Sequence, residues 1–293
     1  MDIKALRAFL VLAREQSVTA AAKYLHLTQP TLSRQLSELE TQLGSVLFIR
    51  SKRGITLTQA GLRLRKRAEE ILELVNKTEA EFSSTNNLIS GDIHIGGGET
   101  YTMGLIADVI CDLQKDYPQI RVHIFSGDSL KVAESIDRGL LDFGLLIEPA
   151  NISHYESRRI PVTDTWGVLM RKDCPLAKQQ TVQAEDLWPL PLMMSKRKNV
   201  ADSLARWLKR DLAKLNIIAT YNLIFNATSM VEKGMGYALC LDKLVNTSGD
   251  SPLCFRPLTP RLESHVDIVW KKYQIFSKPA ELFLQRLKAA FME

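Results

Sequence analysis

Gln29, Pro30 and Arg34 are the side chains of this chain best equipped for recognition chemistry. Gln presents a donor and an acceptor that match adenine, and Arg presents a fork of donors that matches guanine. Pro30 offers apolar contact to a thymine methyl group. Thr28, Thr31, Ser33 and Gln35 add short polar groups suited to phosphate or mixed contacts, which position a protein without choosing a sequence. All seven fall within Thr19–Gly44, TAAAKYLHLTQPTLSRQLSELETQLG. Ala20, Ala21 and Ala22 let two helices pack closely, and Leu25 and Leu27 anchor a turn. Thr28 is a good N-cap, and Pro30 sits in a first helical turn, where a missing N–H costs little. Leu32, Leu36, Leu39 and Leu43 then share one helix face. The pattern predicts a helix-turn-helix whose second helix enters the major groove by its N-terminal half. His26, beside the turn, reads as a packing residue.

The elements around this pair serve to hold it. Ile3–Glu15 predicts a supporting helix with Leu6, Phe9, Leu10 and Ala13 on one stripe, and Gly44 a C-cap. Val46–Ile49 and Ile55–Leu57 predict a β-hairpin. Its tip, Arg50-Ser51-Lys52-Arg53-Gly54, places Arg50, Lys52 and Arg53 where cations suit phosphates or a narrow minor groove. Charge agrees: residues 1–67 hold 12 Lys+Arg against 4 Asp+Glu, a net +8, and the rest of the 293-residue chain holds 26 against 29, a net −3. A basic head on a mildly acidic body assigns nucleic acid to the head.

From Thr58 to about Asn86 the pattern predicts one long helix. Leu64, Ala68, Ile71, Val75, Thr78 and Phe82 alternate spacings of four and three, a heptad seam that asks for a second helix. Leu64, Ala68, Ile71, Val75 and Phe82 are therefore the candidate dimerisation residues. The alternative is packing against the chain's own body. The polar run Ser83–Asn87 marks the boundary, giving a head (1–58), a linker helix (59–89) and a body (90–293). In the body, strands at 92–97, 120–125 and 141–147 alternate with helices at 102–115 and 130–138, which predicts a parallel βαβαβ sheet. A second α/β unit follows, with strands near 167–170, 192–194, 217–225, 237–241 and 253–255 and helices at 200–214 and 227–233. Lobe I then takes about 90–160 and 266–293, and lobe II about 161–265.

The first sixty residues, from LRAFLVLAREQSVTAAAKYLHLTQPTLSRQLSELETQLGSVLF through IRSKRGITLTQAG, resemble the N-terminal domain of LysR-type transcriptional regulators. Beyond them the resemblance rests on length and layout. It implies an α/β protein overall: an all-α-rich winged helix-turn-helix, a dimerising linker helix, and a two-lobed body of periplasmic-binding-protein type 2. It implies sequence-specific binding of double-stranded DNA in the bacterial cytoplasm by a homodimer or homotetramer. A small-molecule effector and RNA polymerase are the further implied partners, and no cofactor is expected. The resemblance supports Gln29, Pro30, Arg34 and Arg53 as DNA-contacting residues.

The cleft between such lobes would be lined by strand-end loops and helix N-termini, whose open N–H groups favour anions. Thr100, Thr102, Ser129 and Thr228 lie at matching positions and are the candidate effector-binding hydroxyls, with simple helix capping as the alternative for each. Met194–Lys198 brings cations near a cleft edge, or is a solvated surface run. Where family members often close the strand after the Gly234–Gly236 turn with proline, this chain has Cys240.

Other classes find little footing. Gly96-Gly97-Gly98 lacks the Lys-Ser/Thr of a P-loop, no HExxH or GxSxG occurs, and His94 and His123 fall in strands where alternate burial accounts for them. A non-enzyme is expected. The N-terminus lacks a signal-peptide pattern, and no segment approaches the roughly 20 apolar residues of a membrane helix. Cys111, Cys174, Cys240 and Cys254 are scattered and are expected as free thiols. The remaining rivals are a solute receptor and a general DNA-structuring protein.

Overall fold

The computed structural model describes residues 1–51, 54–82 and 89–291. Its chain divides into two compact units, Met1–Ser83 and Ser84–Glu293. In the first, helices α1 (Ile3–Glu15), α2 (Val18–Tyr24) and α3 (Gln29–Leu43) precede a hairpin of β1 (Phe48–Ser51) and β2 (Gly54–Leu57), and α4 (Gln59–Phe82) follows. Side-chain caps start each of the first three helices: Asp2 for α1, Ser17 for α2 and Thr28 for α3. Gly44 ends α3 in the left-handed conformation (φ 59°), as a C-cap glycine should. Leu6, Phe9, Leu12, Ala21, Leu32, Leu36 and Leu39 form one core. Leu43 departs from the predicted stripe and is exposed, at the last residue of α3 before its Gly44 cap. His26 is likewise no packing residue: it is exposed and adopts a left-handed conformation (φ 54°) in the turn.

Thr58 caps α4 through the Gly61 N–H and donates to the Val46 carbonyl at 2.7 Å. Gly61 permits this approach, since a Cβ there would lie 2.0 Å from the Leu47 carbonyl oxygen. The first half of α4 thus packs on the head itself. Ala68 is wholly buried in the head's core, and Leu64 and Ile71 pack against it. This corrects the expected seam: Ala68 has no surface to offer a second copy. The apolar surface left open lies further along, where Ile71, Leu74, Val75 and Thr78 line a groove of about 480 Å³. The Phe82 side chain and residues Ser83–Asn87 lie outside the described residues.

The body runs β3 (Gly91–Gly97), α5 (Thr102–Asp116), β4 (Ile120–Ser126), α6 (Ser129–Asp137), β5 (Phe143–Ile147), β6 (Tyr155–Arg171), α7 (Ala184–Leu187), β7 (Leu192–Ser195), α8 (Lys198–Leu208), β8 (Ile217–Tyr221), α9 (Ile224–Glu232), β9 (Tyr237–Leu241), β10 (Leu253–Pro257), β11 (Glu263–Lys271) and α10 (Lys278–Phe291). Strands lie in the order β4-β3-β5-β11-β6-β9-β7-β8, with β10 paired to β6. The β3, β4 and β5 strands are parallel, as βαβαβ requires, and β11 returns antiparallel between β5 and β6. Gly96 leaves room for Leu141 and for Val132 of α6, which a Cβ there would meet at 2.4 and 3.2 Å.

The 17-residue β6 builds both lobes. Up to Thr165 it pairs with β11, and from Trp166 with β9 and β10. Its start, Tyr155–Arg159, has no strand signature in the sequence, because Glu156, Ser157, Arg158 and Arg159 carry no apolar run. Two other expectations shift. The helix expected at 200–214 ends at Leu208, where Lys209 turns left-handed (φ 52°), and a short 3₁₀ turn covers Leu212–Lys214. The strand expected at 217–225 stops at Tyr221, and Phe225 is an exposed residue of α9. His94 and His123 pair across β3 and β4 with rings stacked at 4.8 Å, but His123 is exposed rather than alternately buried.

Candidate functional site

Two surfaces can do recognition chemistry, one in each unit. In the head, Gln29, Pro30 and Arg34 are exposed at the start of α3, while Leu32, Leu36 and Leu39 face inward. Thr28 accepts from the Thr31 N–H at 3.4 Å, and their hydroxyls lie 2.8 Å apart. Arg34 extends into solvent, its side chain 77% exposed, with Glu38 at 3.7 Å along the helix. Ser33 and Gln35 lie along the same helix, Ser33 half-buried. From the hairpin, Arg50 reaches back so that its Nη2 lies 3.5 Å from Ser33 Oγ. Glu40 fixes the hairpin's entry by accepting from the Leu47 N–H at 2.7 Å. The helix and hairpin are therefore joined on one cationic side. Lys52 and Arg53 lie outside the described residues.

In the body, a cavity of about 60 Å³ lies between the lobes. Its walls are apolar: Ile147, Trp166, Val200, Ile224, Leu241 and Leu244. Its polar lining is Glu99, Asp128 and Glu148 from lobe I and Ser195, Arg197 and Asn222 from lobe II. Arg197 Nη2 donates across the cleft to the carbonyls of Ile147 at 3.4 Å and Pro149 at 3.1 Å. Burial lowers its pKa, and nearby Asp128 works against that; the guanidinium stays charged. Glu99 crosses the other way and accepts from the Ile224 N–H, the first of α9, which has no capping side chain of its own. Asp128 caps α6 through the Lys131 N–H at 3.1 Å. Behind the cavity, Trp166 donates to Ser264 Oγ at 2.8 Å, and Ser264 donates to the Glu148 carbonyl at 3.0 Å, tying together the strands that cross between lobes. Cys240 lines the cavity as a neutral thiol, its pKa pushed up to about 12 by burial.

Residues 3–62 match the family described as bacterial regulatory helix-turn-helix protein, lysR family, and residues 86–292 match the LysR substrate binding domain. The chain belongs to the LysR family. Among curated relatives, the HTH-type transcriptional regulator IlvY of Escherichia coli (strain K12) is 26% identical over 252 residues, covering 85% of this chain and 84% of that protein. The regulator BsdA of Bacillus subtilis (strain 168) is 25% identical over 304 residues, covering 97% and 99%. Among solved structures, full-length CbnR complexed with its target DNA matches with a TM-score of 0.79 at 19% identity, covering 99% of this chain and 100% of that one. HinK, a LysR family transcriptional regulator from Pseudomonas aeruginosa, matches with a TM-score of 0.56 at 24% identity, covering 98% of each chain. These structural likenesses speak to fold. The protein is thus a LysR-type DNA-binding transcription regulator with a substrate-binding body, and no helix among its described residues is long and apolar enough to cross a membrane.

Within this LysR body, the four predicted hydroxyls do not line the cavity. Thr100 donates to Asp164 and accepts from the Thr102 N–H at 3.1 Å, so its hydroxyl is engaged within the protein. Thr102 is fully buried at the start of α5. Thr228 donates to the Ile224 carbonyl of its own helix at 3.2 Å. Ser129 borders a neighbouring groove of about 210 Å³, with Leu130, Arg197 and Lys198. The lining also takes Glu99 and Asp128, each adjacent to a predicted hydroxyl, and Ser195 and Arg197 from the run expected either near a cleft edge or on a solvated surface. The last two stand inside Met194-Ser195-Lys196-Arg197-Lys198. Alternation is the available signal, because Lys196 and Lys198 are exposed while Ser195 and Arg197 turn inward.

Proposed function

We propose that this LysR regulator reads a specific DNA sequence with Gln29, Pro30 and Arg34 and senses a small metabolite in the cleft between its two lobes. Thr28, Thr31, Ser33, Gln35 and the hairpin cations Arg50, Lys52 and Arg53 hold phosphates. The head spans 1–58, the linker helix 59–89 and the body 90–293. Paired copies, joined through Ile71 and Val75 of the linker together with Leu74, present two heads to two half-sites. The protein works in the bacterial cytoplasm beside its promoter, with RNA polymerase as the partner it influences.

One observation carries the sensor reading: the cavity is walled by both lobes and bridged by Arg197, a half-buried cation that lines it. An anionic group of the ligand is met by Arg197, which can bind a carboxylate or phosphate through two donors at once. The ligand acts by favouring one arrangement of the lobes, and so of the paired heads. Thermal unfolding of the full-length protein with fractionated small-molecule extract of its own cells tests this. A fraction that raises the melting temperature of the wild type but not of Arg197→Gln supports the cleft. A fraction that stabilises both equally places the ligand elsewhere.

A further inference from the structure

The charges around the cavity define a narrower class of ligand, on the reading that the cleft is the sensor. Glu99 and Asp128 bring two carboxylates to the lining and Arg197 one guanidinium. The third carboxylate, Glu148, is taken by its ion pair with Arg159. Glu99 and Asp128 each sit at a helix N-terminus, which returns about half a positive charge apiece. The lining therefore sums to nearly zero while carrying full charges of both signs on opposite lobes. A plain anion would meet Arg197 but be buried beside two carboxylates, and a plain cation would reverse the problem. In so small a space, either would lose its hydration without full compensation.

The helix N-terminus of α9 offers no alternative seat for an anion, because Glu99 already occupies it. Among the described residues, Arg197 is thus the one cationic side chain lining the cavity. Each carboxylate commits one oxygen to its helix cap, which leaves acceptor capacity for donors carried by a ligand. The apolar walls and the small volume, about 60 Å³, limit the rest to a short hydrocarbon group.

We propose that the cleft binds a small amphoteric molecule of the α-amino-acid type, its carboxylate on Arg197, its ammonium facing Glu99 and Asp128, and its short side chain against Ile147, Trp166 and Leu241. Burial costs such a molecule least, because each of its charges meets an opposite one.

Thermal shift and calorimetry on the full-length protein with glycine, alanine, valine and leucine, each beside its amine-free acid and its carboxylate-free amine, test the class. One amino acid is expected to bind more tightly than either truncated partner by roughly tenfold or more. Glu99→Gln and Asp128→Asn keep the cap acceptors and remove only charge, so the fold is preserved. Both are expected to weaken the amino acid and to strengthen the amine-free acid. Acids that bind as well as the amino acids, and lose that binding in Arg197→Gln, would overturn the amphoteric class while leaving the cleft as the sensor. The class is overturned in the same way if no member of the panel binds while a cell extract still stabilises the protein through Arg197. Binding unchanged in Arg197→Gln and Glu99→Gln alike would remove the cleft itself.

Discussion

Arg197, on the loop before α8 in lobe II, donates to the Pro149 carbonyl of lobe I at 3.1 Å. A charged donor on a backbone acceptor holds the two lobes at a fixed separation. Arg197→Gln removes the hydrogen bonds to both Ile147 and Pro149, interactions worth about 1.5–3 kcal/mol each when the donor is charged. Hydrogen exchange should show faster exchange in the segments flanking the cleft, near Ile147–Ala150 and Ser195–Val200, with α3 unchanged. Unchanged protection at the cleft would mean that other contacts hold the lobes closed.

Arg34→Ala should weaken specific DNA binding by roughly 1–3 kcal/mol and relax selectivity at one base position. Its neighbour Glu38, at 3.7 Å, is an exposed i,i+4 partner that costs little to leave. Retained selectivity in a selected-site experiment would take Arg34 out of base reading.

The two halves of α4 should respond differently to charge. Ala68→Asp buries a carboxylate in the head's core and should destabilise the head by several kcal/mol. Leu74→Asp falls on the open groove, at a residue 43% exposed, and should leave the head folded while shifting the protein toward smaller assemblies. Circular dichroism and analytical ultracentrifugation separate the two effects. An unchanged sedimentation profile for Leu74→Asp would move the pairing surface elsewhere.

Asp164, 2% exposed, is held above the usual carboxylate range. Burial is the main cause and Asp242 adds to it, while the hydrogen bond from Thr100 and the charge of Lys243 work against it. A carboxyl whose folded pKa is raised binds its proton more tightly in the native state, so its contribution is most favourable at acid pH. That contribution is lost as pH rises from the ordinary value of about 3.9 through the folded one. Asp164→Asn should therefore gain stability relative to wild type across that window and keep the gain at neutral pH. A difference in melting temperature that does not change with pH would contradict the assignment.

The head is legible in the sequence because its signals are local. Caps, the proline at the start of α3 and the Leu32–Leu36–Leu39 stripe fall within a few turns of one another. The heptad of α4 does mark a packed face, but periodicity does not say which helix packs on it. For Ala68 the answer is the head's own core. The cleft is the least legible part. Glu99 meets Ile224 across 125 positions of sequence, and Arg197 meets Pro149 across 48. Hydroxyls at helix starts look like ligand groups, yet Thr100 and Thr228 are engaged in bonds within the protein. The polar side chains Glu99, Asp128, Glu148, Arg197 and Asn222 stand in the short connections between strands and helices, whose composition is that of any polar surface.

The most direct test is selection of genomic fragments by the purified full-length protein at physiological salt, followed by sequencing. Enrichment of an inverted-repeat site, lost when Arg34 and Gln29 are both replaced by Ala, is the predicted result. Its half-sites should lie about one helical turn apart, or a multiple of that, as paired recognition helices require. Enrichment of DNA without any shared site would contradict sequence-specific reading by the head and leave a general DNA binder.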